Sequence, residues 1–313
     1  MTTFIKKELH IILKKKKIKE KRSNDVYYMF TSGSTGIPKG VIINNTNLLY
    51  FIDWAIEEFN YNNKTIHAGL NQIYFDNSIF DFFITLFSGG TLVPIKASEL
   101  KNPYNVIKKI KKNKCNKWFS VPTLIIYLLK LKIFNKKNLP NLEHIIFGGE
   151  PFFAKNLRDL FNNFGRGLRY SNVYGPTETT CMCSNYDLNK NEILKIKNFP
   201  PIGFLNKYFN GFLWDGKREN KKIGELVLTG PCVGQGYLKY KKKIHSGFNK
   251  NPVNKNYDEK AYFTGDIMKL DKDGKLHFIG RKDNQIKHNG YRIELEEIET
   301  KLKKYNFIED III

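Results

Sequence analysis

No stretch of the 313-residue chain approaches the roughly 20 apolar residues that span a bilayer, and the basic start lacks an apolar signal core. A cytoplasmic protein is expected. Cys115, Cys181, Cys183 and Cys232 show no paired C-x-x-C spacing, which argues against both a zinc site and a disulfide framework. Acidic residues are scarce, 30 Asp and Glu against 52 Lys and Arg, for a formal charge of +22. Such an excess by itself suits nucleic acid or an anionic membrane surface. Here it is spread over the whole length, mostly as Lys among Asn and Ile, with denser runs at Lys14 to Lys17 and Lys241 to Lys243. Dispersed charge reads as solvated surface, so neither a nucleic-acid nor a membrane partner is expected. Of the six histidines, His67 and His144 have no paired Ser or Cys of the kind nucleophilic catalysis needs, and they are assigned no catalytic role.

What is present is core-forming material, with 41% hydrophobic and 14% aromatic residues. Residues 1–24 are a basic lead-in. Val26 to Phe30 and Val41 to Ile43 then read as strands, and Leu48, Leu49, Ile52, Ala55, Ile56 and Phe59 recur at helical spacing between Asn47 and Phe59. The alternation continues with helices expected over 79–87, 103–112 and 123–131, and strands over 91–95, 117–121 and 143–147. This is an α/β pattern. After Asn185 it gives way to short strands between turns, clearest at 225–229 and 275–279. Beyond Arg281, Leu295, Ile298 and Leu302 mark a new helix that starts among glutamates. No internal repeat is found.

Between the first two strands lies Thr31-Ser32-Gly33-Ser34-Thr35-Gly36, followed by Lys39. Backbone N–H groups of a glycine-rich turn, added hydroxyl donors and a lysine suit a polyphosphate. The spacing is not that of a Walker loop, because Pro38 stands where the second glycine belongs, and no G-x-G-x-x-G is present.

Thr31 to Gly40, T-S-G-S-T-G-I-P-K-G, resembles the signature of the AMP-forming acyl- and aminoacyl-adenylating superfamily. Further motifs follow in that family's order: Phe75-Asp76-Asn77-Ser78, Asn172 to Glu178 (N-V-Y-G-P-T-E), Gly224-Glu225-Leu226 with Gly236-Tyr237, Tyr262 to Asp266 (Y-F-T-G-D), and Gly280-Arg281 through Glu299. The second and third are similar to the amino-acid-activating branch found in nonribosomal peptide synthetases and D-alanine–carrier ligases. The resemblance implies a multi-sheet α/β core with a small distorted β-barrel-like region and the start of a small C-terminal α+β domain. Residues 25–282 would form a partial large AMP-binding domain, and 283–313 the hinge and the beginning of a truncated small one.

It also implies a reaction and its residues. A substrate carboxylate attacks the α-phosphorus of ATP, pyrophosphate leaves, and the acyl-adenylate passes to a carrier-protein thiol borne on phosphopantetheine. Thr31, Ser32, Gly33, Ser34, Thr35, Gly36 and Lys39 would hold the β- and γ-phosphates. Thr177 would meet the α-phosphate and Glu178 would ligate Mg2+, a hard carboxylate for a hard ion. Tyr174, Gly175, Asn172 and the segment Gly148-Gly149-Glu150 would accept the adenine, and Asp266 with Arg281 the ribose, since two carboxylate oxygens can take two hydroxyls. Asp76 would pair with the α-ammonium of an amino acid, although it also reads as a helix N-cap. Asn77, Phe80, Phe119, Ile146, Val173, Cys181 and Met182 would wall the substrate side chain, mostly apolar and so suited to an uncharged group. Cys181 and Cys183 alternate on an expected strand. Asp283 would be the hinge about which the small domain turns.

The sequence departs from the family at both ends. Strands expected ahead of the glycine loop are replaced by residues 1–24, and Lys301, Lys303 and Lys304 do not match the motif of the family's C-terminal catalytic lysine. A separate chain supplying that domain is therefore an expected partner, and exposed sheet edges are expected too. An acyl- or aryl-CoA ligase and an inactive nucleotide-binding remnant, or one part of a split enzyme, remain the alternative readings.

Overall fold

Short, wholly apolar segments separated by amphipathic helices have one economical arrangement, a parallel sheet covered on both faces. The computed structural model of the protein describes residues 24–32, 38–238, 247–254, 256–288 and 291–302. The chain enters as a hairpin, β1 (Asp25–Thr31) and β2 (Lys39–Asn44), paired antiparallel. Helix Asn45–Glu58 follows, its N-terminus closed by reciprocal bonds between Asn44 and Asn47. Then come β3 (Ile66–Gly69), β4 (Thr91–Pro94), β5 (Lys117–Ser120), β6 (His144–Gly148), β7 (Arg169–Tyr174), β8 (Ser184–Asp187) and β9 (Phe204–Leu205), in the spatial order 4-3-5-6-7-8-9. The pairings from β4 through β7 are parallel and the last two antiparallel.

Alternation along these strands sends side chains to two cores. Trp118, Ile145, Phe147 and Tyr170 pack with helices Pro103–Lys112, Pro122–Lys130 and Ala154–Phe164. Phe119, Ile146 and Val173 pack on the other face with Phe51, Ile52 and Ala55 of helix Asn45–Glu58 and with Phe80. The helix expected over 79–87 exists but is wound in three pieces, α over Asn77–Ile79, π over Phe80–Ile84 and α again over Thr85–Phe87. The wider turn accompanies a buried carboxylate: Asp81 accepts from His67 Nε2 at 2.9 Å and from the backbone and side-chain nitrogens of Asn71 at 3.0 and 2.9 Å.

The second half of the chain forms an antiparallel sheet from β10 (Asn210–Trp214), β11 (Glu219–Asn220), β12 (Ile223–Thr229), β14 (Phe248–Lys250), β15 (Lys260–Leu270) and β16 (Leu276–Arg281). Its order is 11-10-12-15-14, with β16 also on β15, so among the described residues the barrel-like region is an open sheet. β13 (Gly236–Tyr237) instead joins β2 of the hairpin. β15 pairs with β14 over Lys260 to Tyr262 and with β16 over Asp266 to Leu270. Between the two pairings Gly265 takes φ +73, a left-handed bend that suits glycine and sets the direction of Asp266. A two-stranded ribbon, β17 (Gln285–His288) and β18 (Tyr291–Glu294), and helix Leu295–Leu302 close the described chain.

One expectation fails here. Cys181 and Cys183 are not on a strand: β8 begins at Ser184, and Thr180 and Cys181 have φ of 59° and 74°. The chain doubles back after β7 too tightly for extended backbone.

At the amino ends of the parallel strands, away from the carboxyl ends, lies a buried polar chain. Lys117 Nζ donates to Phe59 O at 2.9 Å and approaches His144 Nδ1 at 3.4 Å; His144 Nε2 meets Ser171 Oγ at 2.7 Å, and Ser171 donates to Asp187 at 2.5 Å. The structure thus does give His144 a serine, contrary to the sequence reading. That hydroxyl is fully buried and spent on Asp187, so the pair supports no nucleophile. Burial, reinforced by the Lys117 and Arg169 charges, pushes His144 well below its ordinary range, which fits a neutral ring accepting at Nδ1.

Burial, aided by Arg169, also lowers Lys117 from 10.5 to about 8. Below about pH 8 the lysine is charged in folded and unfolded chains alike, and its burial cost is present in full. Between 8 and 10.5 the unfolded chain holds more protons, so the stability this residue contributes rises with pH, by on the order of 3 kcal/mol over the interval. Urea unfolding of wild type and Lys117→Met from pH 7.5 to 10 is expected to shift their difference toward the wild type as pH rises; a difference flat in pH would contradict the buried charge.

Candidate functional site

Ligands of open α/β sheets settle at the carboxyl ends of the strands. A cavity of about 870 Å³ lies there, bounded by Leu70 after β3, Ser120 of β5, Gly149 after β6 and Gly175 after β7. The hairpin closes one side with Tyr27, Thr31 and Ser32, and the antiparallel sheet closes another with Asp266 and Arg281.

Asp76 and Thr177 meet inside it. Asp76 occupies the N-cap position before Asn77–Ile79, yet its side chain makes no capping bond; its Oδ2 accepts from Thr177 Oγ1 at 2.5 Å. Thr177 opens the single turn Thr177–Thr179, which the close return after β7 carries to this point. A Cβ at Gly175 would stand 2.3 Å from Met182 Cα and 2.8 Å from Cys181 O, so no other residue admits that approach. Asn77 also lines the cavity.

Glu178, next in the turn, points elsewhere and is completely buried. Its Oε1 accepts from the Tyr237 hydroxyl at 2.7 Å, and Lys39 Nζ stands 5.7 Å from the centre of the Tyr237 ring. Tyr237 reaches it because β13 pairs with β2, the strand that begins at Lys39. Gly33, Ser34, Thr35 and Gly36 lie outside the described residues. Thr31, at the end of β1, is described: its buried Oγ1 has no hydrogen-bond partner among the described residues. A buried unsatisfied hydroxyl at a cavity wall suits an acceptor supplied by a ligand, and phosphate oxygens are such acceptors.

At the other end, Asp266 accepts from Tyr174 Oη and from Arg281 Nη1, the latter at 2.6 Å. Burial, then the Asp266 charge, holds the Tyr174 phenol well above its ordinary range, so it remains a donor. Tyr174 is buried and fixes Asp266, while its neighbour Gly175 lines the cavity. Arg281 also grips Asp283 with two parallel bonds, Nε to Oδ1 at 2.5 Å and Nη2 to Oδ2 at 2.6 Å. Of the residues matched to the adenine segment, Gly149 lines the cavity, and Gly148 packs against Val173, where a Cβ would stand 2.2 Å from its carbonyl oxygen. Glu150 accepts from Thr123 N and Oγ1 at 3.2 and 2.5 Å, and Asn172 donates to Pro201 O at 2.8 Å.

The proposed wall residues Phe80, Phe119, Ile146, Val173, Cys181 and Met182 gather in one buried apolar cluster. Burial and then the charges of Asp76 and Asp81 raise the Cys181 thiol well above its ordinary range.

Three side chains at the site were not singled out from sequence, and a fourth, Tyr237, was named only as part of a motif. Tyr27 lines the cavity with a buried hydroxyl that has no hydrogen-bond partner among the described residues, and Tyr237 holds Glu178. Asn71 lines the cavity and is tied to Asp81, which pairs with His67. A histidine and an aspartate within otherwise apolar segments were the available signal for the last pair.

Comparison with known proteins agrees with this geometry. The AMP-binding enzyme family matches residues 3–238. The D-alanine--D-alanyl carrier protein ligase of Listeria monocytogenes is 36% identical over 301 residues, 94% of this chain and 57% of the relative. The ligase of the same name from Lacticaseibacillus rhamnosus is 32% identical over 291 residues, 91% of this chain and 56% of the relative. The chain thus spans a little over half the length of these curated relatives. The adenylation domain AlmE of Vibrio cholerae, solved in complex with glycyl-adenosine-5'-phosphate, superposes with TM-score 0.80 at 26% identity, covering 94% of this chain and 55% of that one. Because the match runs through the hairpin, the parallel sheet and the turn that carries Thr177 and Glu178, this chain belongs to the AMP-binding enzyme family.

Proposed function

We propose that the chain is the nucleotide- and substrate-binding part of a ligase that activates a small amino acid with ATP, releases pyrophosphate, and passes the aminoacyl group to the thiol of a carrier protein. The observation that carries this reading is the contact between Asp76 and Thr177, which sets an acceptor for an ammonium beside a donor for a phosphate within one cavity. D-alanine, named for the relatives, is the favoured substrate. Four buried cysteines, none bridged, suit the reducing cytoplasm.

The roles are those the family resemblance implies, and the described geometry supports them. The Thr31 hydroxyl, Ser32, the glycine loop and Lys39 take the outer phosphates, and Thr177 the α-phosphate. Glu178 offers one hard oxygen donor set to Mg2+, an ion that commonly uses one or two carboxylates together with substrate phosphates. Asp266, aligned by Tyr174 and Arg281, takes the ribose hydroxyls. Charge that grows on the phosphate oxygens then meets donors already in place, which lowers the barrier without a covalent nucleophile on the protein. Asp283 serves as the hinge, and its grip on Arg281 ties that hinge to the ribose end of the cavity.

Exchange of pyrophosphate into ATP, surveyed over amino acids with the chain alone and with a relative's small carboxy-terminal domain added, is expected to favour D-alanine. Asp76→Ala is expected to lower kcat/KM for the amino acid by about 10- to 150-fold, the range for a hydrogen bond to a charged group. Exchange supported by fatty acids and by no amino acid, or untouched by Asp76→Ala, would identify an acyl- or aryl-CoA ligase instead. In calorimetry with AMP, Asp266→Asn is expected to weaken binding by about tenfold or more; equal affinity would remove Asp266 from the ribose site.

A further inference from the structure

Residues 70–77 form one wall of the cavity, and that wall includes Asp76. Packing does little to hold it: from Asn71 to Asn77 no residue is buried, and Ile73 and Tyr74 are 86% and 57% exposed. Hydrogen bonds hold its start instead. Asn71 N donates to Asp81 Oδ2 at 3.0 Å, and Asn71 Nδ2 donates to Asp81 Oδ1 at 2.9 Å and to Phe119 O of β5 at 3.2 Å. Asp81 is itself fixed. Its neighbour Phe80 is buried among Phe59, Tyr61 and Phe119, with ring centres 5.3, 5.5 and 5.0 Å away. His67 of β3 bonds Asp81 Oδ1 through Nε2 at 2.9 Å, and Tyr61 Oη lies 2.9 Å from His67 Nδ1. Burial, then the Asp81 charge, holds the Tyr61 phenol well above its ordinary range, so the phenol donates to Nδ1 and leaves the Nε2 hydrogen for Asp81.

We infer that Asp81 is a positioning residue: by clasping Asn71 it fixes the wall that carries Asp76, and so sets where the substrate's ammonium is received. The inference rests on the amino-acid-activating reading above. Three N–H groups converge on Asp81, and a carboxylate, which offers acceptors only, suits that place. Asn71 and Asp81 are 10 residues apart, so their two bonds close the segment bearing Asp76 at both of its ends. The ribose end of the cavity stands on other elements, Tyr174 of β7, Asp266 of β15 and Arg281 of β16. The clasp therefore acts on amino-acid binding and leaves nucleotide affinity alone. Asp81→Asn replaces one acceptor by a donor and sets it against the Asn71 amide, and Asn71→Asp sets two carboxylates against each other. Swapping the two residues restores a donor facing an acceptor between them, with loss of the bond to Phe119 O.

Pyrophosphate exchange with D-alanine and hydrogen–deuterium exchange of the backbone test this together. Each single variant is expected to raise KM for D-alanine about tenfold or more, the lower end for hydrogen bonds to a charged group, with kcat and AMP affinity within about twofold of wild type. The same variants should speed deuterium uptake over residues 70–77 about tenfold and leave the strand His144–Gly148 as it was. In the swapped pair, Asn71→Asp with Asp81→Asn, both effects should shrink, which a general loss of structure would not allow. Deuterium uptake over 70–77 that ignores the single variants, a swapped pair no better than either of them, or loss of protection that reaches His144–Gly148 overturns the inference. So does a KM for D-alanine that neither single variant moves, and the proposed function then stands. A wild type that shows pyrophosphate exchange with no amino acid overturns the proposed function, and with it the part of the clasp in amine binding.

Discussion

The close return of the chain after β7 is the constraint on which the site depends. Gly175 passes so near Met182 that the backbone itself occupies the place of a side chain. The next residues accept left-handed conformations at Thr180 and Cys181, at a cost of about 1–2 kcal/mol each. Thr180 Oγ1, bonded at 2.8 Å to Cys232 O, and the Glu178 carbonyl, accepting from Gly234 N at 2.8 Å, help to offset that cost. In exchange, two consecutive side chains leave the turn in different directions, Thr177 toward the helical segment after β3 and Glu178 toward the hairpin sheet. A looser turn would separate the two from their partners.

The remaining walls are held by pairing rather than by packing alone. Tyr237 reaches Glu178 because a two-residue strand from late in the chain docks on β2, and Asp266 is aimed by the bend at Gly265 between two pairings of a single long strand. The cavity is thus a meeting point of three sheets, each contributing side chains through backbone register.

Much of this was readable in advance. Buried strands such as His144–Gly148 and helices such as Pro103–Lys112 follow from local pattern, and their positions agree with it to within a residue or two. The return turn was not legible, because positive φ at a threonine and a cysteine is imposed by tertiary contact and leaves no compositional trace; the same is true of the π turn around Asp81. Motif residues could be named singly, but that Asp76 and Thr177 touch, or that Arg281 joins Asp266 to Asp283, belongs to the fold. The wall residues show the same limit: Phe80, Phe119, Ile146, Val173, Cys181 and Met182 collect in one buried cluster, but of the expected wall only Asn77 lines the cavity.

The trio of Asp266, Arg281 and Asp283 sets two carboxylates against one guanidinium. That end of the cavity is therefore an inhospitable place for anything polyanionic, whereas neutral hydroxyls meet acceptors there. The hairpin brings to the same cavity the Thr31 hydroxyl, which has no hydrogen-bond partner among the described residues. A wall that accepts neutral hydroxyls and repels accumulated negative charge favours one orientation of any ligand that carries both, before any individual hydrogen bond has formed.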